Sequence, residues 1–135
     1  MYIDFPVDSD YNGDKDLKAF IIQEDGFMKT VIKENANGGK GRVVLKHILD
    51  EKELNGKCKM YAEVTIAPGD SLGYHVHHGE SETYYIIKGQ GEYNDNGTIR
   101  QVTVGDKTFT PDGFGHGIAN NGDTDLVFMA LIIFD

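Results

Sequence analysis

The 135-residue chain has no tryptophan, one cysteine, three prolines and two arginines, and each shortage closes a route. A single thiol, Cys58, can form neither an internal disulfide nor a multi-thiolate metal site, which suits a reducing compartment. Two arginines, Arg42 and Arg100, leave few candidates for bidentate clamping of a phosphate or a dicarboxylate. Basic residues are scarce as well: thirteen Lys and Arg stand against twenty-two Asp and Glu, a net charge of −9. Such a balance repels phosphate backbones and anionic lipid headgroups, so neither nucleic acid nor a membrane surface is an expected partner. No apolar run approaches the roughly 18 residues needed to cross a bilayer. The acidic first ten residues lack the basic and apolar regions of a secretory signal, so a cytoplasmic location is expected. The length accommodates one core.

What the chain does have is glycine and histidine, concentrated together. Eleven of its seventeen glycines lie between Gly69 and Gly122, about three times the ~7% of ordinary proteins, so this segment must turn often. Four of the five histidines, at 75, 77, 78 and 116, fall in the same segment. Met60, Ala62, Val64 and Ile66 alternate with polar residues, the period-2 pattern of a strand with one buried face. Strand-like runs follow at 72–77, 82–88, 91–94, 98–104, 108–110, 116–120 and 126–134, separated mostly by Gly or Asx turns. Asn96-Gly97 between two of them predicts a type I′ hairpin, which needs positive φ at both central residues. Many short strands at this cadence predict an all-β sandwich or barrel.

The first forty residues are less regular. Residues 15–23 fit a helix or a strand, 27–33 a strand and 35–41 a loop, while 50–54 fit one helical turn. The expectation is an N-terminal segment, 1–41, acting as an arm or edge strands, followed by a barrel over 42–135. The run 126–134 is apolar on both faces, which predicts a buried strand or a subunit contact.

His75-Val-His77 puts two imidazoles on one face of a strand, where they can share an ion. Glu82 and His116 each begin a later run. Taken singly, these residues have ordinary structural roles: an exposed pair, a solvated charge, a residue near a turn. Three imidazoles and one carboxylate together form a set suited to Mn, Fe, Co, Ni or Zn rather than Ca or Mg. His78 points to the opposite face, and Glu80 reads as a loop carboxylate.

Gly69, five residues, His75-x-His77, four residues, Glu82, six residues, Gly89 resembles the first motif of the cupin superfamily. Gly105, five residues, Pro111-x-Gly113, two residues, His116, three residues, Asn120 resembles the second, after a spacer of fifteen residues. The resemblance implies an antiparallel jelly-roll β-barrel, a double-stranded β-helix, of the small single-domain kind. It also implies one divalent transition metal ion held by His75, His77, Glu82 and His116.

Tyr74, Tyr84 and Tyr85 lie near these residues, and Tyr84 shares strand parity with Glu82, which makes it the candidate pocket residue. Cys58 precedes the first motif and reads as a small core residue. The expected function is that of a metal-dependent enzyme acting on a small oxygen-bearing substrate, with dioxygenase, decarboxylase, isomerase and lyase chemistries all open. The arginine shortage counts against sugar-phosphate isomerisation and oxalate chemistry unless lysines take over. The alternative is a non-catalytic binding or sensor module with a structural metal. A homodimer is expected, because a short chain leaves sheet edges to cover.

Overall fold

Alternation of apolar residues builds two antiparallel sheets whose inner faces meet in one core. The computed structural model describes residues 28–135, together with the backbone of residues 5–6 and 18–24. The strands are β1 (Phe5–Pro6), β2 (Lys18–Glu24), β3 (Lys29–Glu34), β4 (Arg42–His47), β5 (Cys58–Ile66), β6 (Ser71–Val76), β7 (Glu80–Lys88), β8 (Gln90–Asp95), β9 (Thr98–Thr103), β10 (Lys107–Thr110), β11 (Gly115–Ala119) and β12 (Leu126–Phe134). The larger sheet runs β1-β2-β3-β4-β5-β12-β7-β10 and the smaller β6-β11-β8-β9. Residues 18–23 are therefore strand; residues 15–17 lie outside the described residues. The expected arm over 1–41 is described only in part, and its described strands continue the larger sheet beyond β4.

The alternating set of β5, Met60, Ala62, Val64 and Ile66, faces inward as its pattern requires. On β12 the inward set is Leu126, Phe128, Ala130 and Ile132, whereas Ile133 and Phe134 are exposed. The both-sided apolar run is thus a central strand between β5 and β7 with a half-covered outer face. These side chains join Ile86 of the larger sheet and Tyr93, Val102 and Ile118 of the smaller in a single apolar cluster. Local chemistry sets the connections. Asp50 and Glu53 cap each other's backbone in a reciprocal box that starts the single helical turn α1 (Glu51–Leu54). Asn96 and Gly97 adopt φ of 49° and 100°, as the hairpin between β8 and β9 requires.

One irregularity aims the site. Between β6 and β11, His75 pairs with His116 and Leu72 with Ile118, so Gly73 and Tyr74 together oppose the single Gly117. Leu72 and His75 are three residues apart and would face opposite ways in a regular strand. This bulge turns both inward. Gly73 also passes so close to the carbonyl of Asn37 that a β-carbon there would collide with it.

Candidate metal centre

Three strands from both sheets bring four donor side chains to one point. His75 on β6 lies directly opposite His116 on β11, His77 follows at the end of β6, and Glu82 on β7 faces them from the other sheet. His116, Glu82 and His77 are 0%, 3% and 4% exposed, so the centre is enclosed on most sides. His116 Nε2 lies 3.0 Å from His77 Nε2, 3.1 Å from His75 Nε2 and 2.9 Å from Glu82 Oε1. Glu82 Oε1 is 3.1 Å from His77 Nε2 and 3.9 Å from His75 Nε2.

The opposite ring nitrogens are all engaged. His75 Nδ1 donates to the carbonyl of Gly73 at 2.8 Å, and His77 Nδ1 to Glu80 Oε1 at 2.9 Å. His116 Nδ1 sits 2.8 Å from the Tyr93 hydroxyl and 2.9 Å from that of Thr110. With the proton of each imidazole on Nδ1, three Nε2 lone pairs and a carboxylate oxygen crowd one point, an arrangement that repels itself until a cation or protons enter.

The ionisation of the centre follows from that crowding. Burial alone pushes the Glu82 carboxyl up, but hydrogen bonds from the rings of His116, His75 and His77, once these carry a proton at Nε2 as well, outweigh it and hold the carboxyl well below its ordinary value. Burial pulls His77 down, yet hydrogen bonds and charge from Glu82 and Glu80 leave it raised. In His116 burial wins over Glu82 and the imidazole is lowered.

The donors fit a divalent transition metal in both chemistry and spacing. Donors about 2.1 Å from one ion are separated by about 3.0 Å at right angles, about 3.4 Å in a tetrahedron and about 4.2 Å across the ion. Four of the five separations match the right-angle value, and the fifth, His75 to Glu82, approaches the diametric one.

A cavity of about 140 Å³ opens beside the centre, with Lys33, Lys59 and Glu80 on its wall among apolar side chains that include Leu45, Met60 and Ile132. Tyr84 lines it too, 1% exposed, with its ring stacked on His116 at 4.8 Å and its hydroxyl 3.4 Å from His116 Nε2. Burial and the Glu82 charge push that hydroxyl well above its ordinary value, so it stays protonated. Tyr74 and Tyr85 are 46% and 50% exposed and take no part. His78 is exposed and Cys58 opens β5 opposite Ile133, both outside the cluster.

Glu80 is a correction. It is the first residue of β7, 7% exposed, and not a loop carboxylate. Its pairing opposite Phe134 at the end of β12 extends the strand two residues beyond the expected start. Tyr93, Thr110 and Lys59 were not singled out either; for Tyr93 the available signal was its strand parity beside the segment that carries His116.

Comparison with known proteins gives a consistent answer. Residues 62–134 match the Cupin domain family. The chain is 43% identical over 99 residues, 73% of its length and 82% of the other's, to the oxalate-binding protein of Thermotoga maritima. A solved Thermotoga maritima structure described as a predicted oxalate decarboxylase superposes with TM-score 0.75 at 41% identity, over 77% of this chain and 90% of that one. A Klebsiella pneumoniae protein with a double-stranded β-helix domain superposes with TM-score 0.55 at 25% identity, over 58% and 64% of the two chains.

Proposed function

This chain belongs to the cupin family, and we propose that it holds one divalent transition metal on His75, His77, Glu82 and His116 and presents it to a small carboxylate-bearing substrate. The observation that carries this is the convergence of three Nε2 atoms and Glu82 Oε1, with every Nδ1 already committed elsewhere. When bound, the metal supplies Lewis-acid polarisation of a coordinated oxygen, or a route to dioxygen. Three imidazoles and a carboxylate suit Mn, Fe, Co, Ni or Zn.

The substrate class rests on the relatives' names and on the cavity wall. Lys33, Lys59, Glu80 and Glu82 sum to zero charge there in a chain of net −9, so a dication makes the cavity positive and attractive to a small dianion. The shortage of arginine does not stand against this reading, because the cavity's cations are lysines. A volume of about 140 Å³ favours a ligand of few atoms. Leu45, Met60 and Ile132 keep water from the inner wall, and the protonated Tyr84 hydroxyl is a donor within reach of the centre.

The reading is an enzyme cleaving or rearranging such a carboxylate. The name of the Thermotoga relative favours a second, binding without turnover. Elemental analysis of protein purified without added metal, then calorimetry of the metallated protein with oxalate and with acetate, tests the shared premise. Absence of metal, or no preference for oxalate, defeats it. Formate and carbon dioxide released from oxalate select the enzyme; tight binding with oxalate recovered intact selects the binder. Sedimentation velocity tests the homodimer, which the exposed Tyr85, Ile87 and Phe109 on the neighbouring strands β7 and β10 support.

A further inference from the structure

Glu80 lies beside the centre without joining its four donors. A carboxylate only 7% exposed needs partners, and it has two: Oε1 accepts from His77 Nδ1 at 2.9 Å, and Lys59 Nζ lies 3.4 Å from Oε1 and 3.3 Å from Oε2. The three imidazoles are thus backed differently. His75 rests on a backbone carbonyl and His116 on two hydroxyls, both neutral, while His77 is backed by a carboxylate. A full negative charge behind an imidazole fixes its tautomer and its ring angle, and makes the far nitrogen a stronger donor. Lys59 reaches Glu80 from β5 and anchors the carboxylate in the orientation that serves His77.

Building on the metal centre described above, we propose that Glu80 is a positioning residue: it holds the proton of His77 on Nδ1 and so aims the Nε2 lone pair of His77 at the metal. The assignment predicts a selective effect. His77 depends on Glu80, while His75 and His116 keep their own supports.

The test is Zn(II) affinity, measured on metal-stripped protein by competition with a chromophoric chelator, together with the imidazole ¹⁵N shifts of the same metal-free samples. Glu80→Ala is expected to weaken Zn(II) binding roughly 10- to 100-fold. Its His77 should move toward the Nε2–H tautomer while His75 stays as in wild type. Glu80→Gln, whose amide oxygen can accept the same hydrogen bond without the charge, should restore the tautomer and part of the affinity. Wild-type Zn(II) affinity in Glu80→Ala, or a loss of affinity with the His77 tautomer unmoved, overturns the assignment. Should Glu80→Ala fail to fold, Glu80→Gln decides: weakened binding supports the assignment and wild-type binding overturns it. His77→Ala separates the two levels of inference. If it still binds Zn(II) at wild-type strength, the centre itself has been misread; if it loses Zn(II) while Glu80→Ala does not, only Glu80 has been.

Discussion

The two ends of the barrel interior are made of opposite chemistry. At one end Ile66, Ile86, Leu126 and Phe128 are all 0% exposed and pack with Val102 and Ile118, apolar groups that ask nothing of each other but contact. At the other, His75, His77 and Glu82 each bring a lone pair to 2.9–3.1 Å from His116 Nε2. Tyr84 spans the boundary: its ring lies 4.3 Å from that of Phe128 on one side and 4.8 Å from that of His116 on the other. The difference teaches where stability resides. The apolar end can hold the sheets together unaided, which frees the polar end to be electrostatically unsatisfied until something binds.

Four experiments would break or sharpen that contrast. The largest effect is expected from Phe128→Ala, a fully buried ring whose loss should cost about 3–5 kcal/mol. Thermal melts should show the loss, while the metal content of the folded protein stays at wild-type stoichiometry; emptying of the metal site in a folded variant would mean the two ends are not separable. Next, metal at about a thousandfold over its Kd should add about 4 kcal/mol to the folded state, visible as a lower Tm on chelation. His116→Ala should abolish that metal-dependent increment, and a full increment in this variant refutes the ligand set.

Third, two imidazoles, the partly buried His47 and the buried His77, titrate in opposite directions. His47, pressed by burial and by the charges of Lys29 and Lys33, is lowered to about 4. Its unfolded form takes up a proton below about 6.5 that the folded form refuses until about pH 4, so stability falls through that window, by on the order of 3 kcal/mol in all. His77, raised in the metal-free protein, gives the reverse: its contribution is complete below about 6.5 and is lost as pH rises through its folded value. Urea titrations of metal-free His47→Gln against wild type between pH 4 and 7 check the first component, and a variant with unchanged acid sensitivity removes it. Metal affinity should fall on acidification, because protons and metal compete for the same Nε2 atoms. The smallest effect belongs to Tyr84→Phe, which keeps the stack and deletes one hydroxyl. A stability change of about 1 kcal/mol is expected by denaturant melts; a collapse of metal binding as well would promote the hydroxyl to a structural member of the centre.

The fold and the meeting of His75, His77, Glu82 and His116 were legible because both are written as spacing. Alternation fixed which side of β5 is buried, and the two glycine-bounded motifs carried the four side chains that converge. The supports of the donors were not legible, since each arises from a pairing distant in the chain. Glu80 belongs to a strand only because the end of β12 extends alongside it, with the amide of Asp135 donating to the carbonyl of Gly79 at 3.0 Å. The local text, His-Gly-Glu-Ser, reads as a turn. Tyr93 reaches His116 across 23 residues and Lys59 reaches Glu80 across 21. Identity alone says nothing about whether such residues face the same ring. The inward turn of Leu72 together with His75 was likewise hidden, because the extra residue shows only against the register of β11.

That extra residue gives one short stretch an uneven response to changes in length. Removing Tyr74, which leaves Gly73 in its place against the Asn37 carbonyl, would restore a regular ladder to the edge of the smaller sheet. Leu72 and His75 would then stand two residues apart in a regular strand and face the same way, so their pairings with Ile118 and His116 and the inward aim of His75 and His77 would be kept. An insertion is the opposite case: one residue added between the bulge and His75 would shift the parity of everything after it and carry His75 and His77 to the solvent face. This stretch should therefore tolerate a shortening that it would not tolerate as a lengthening.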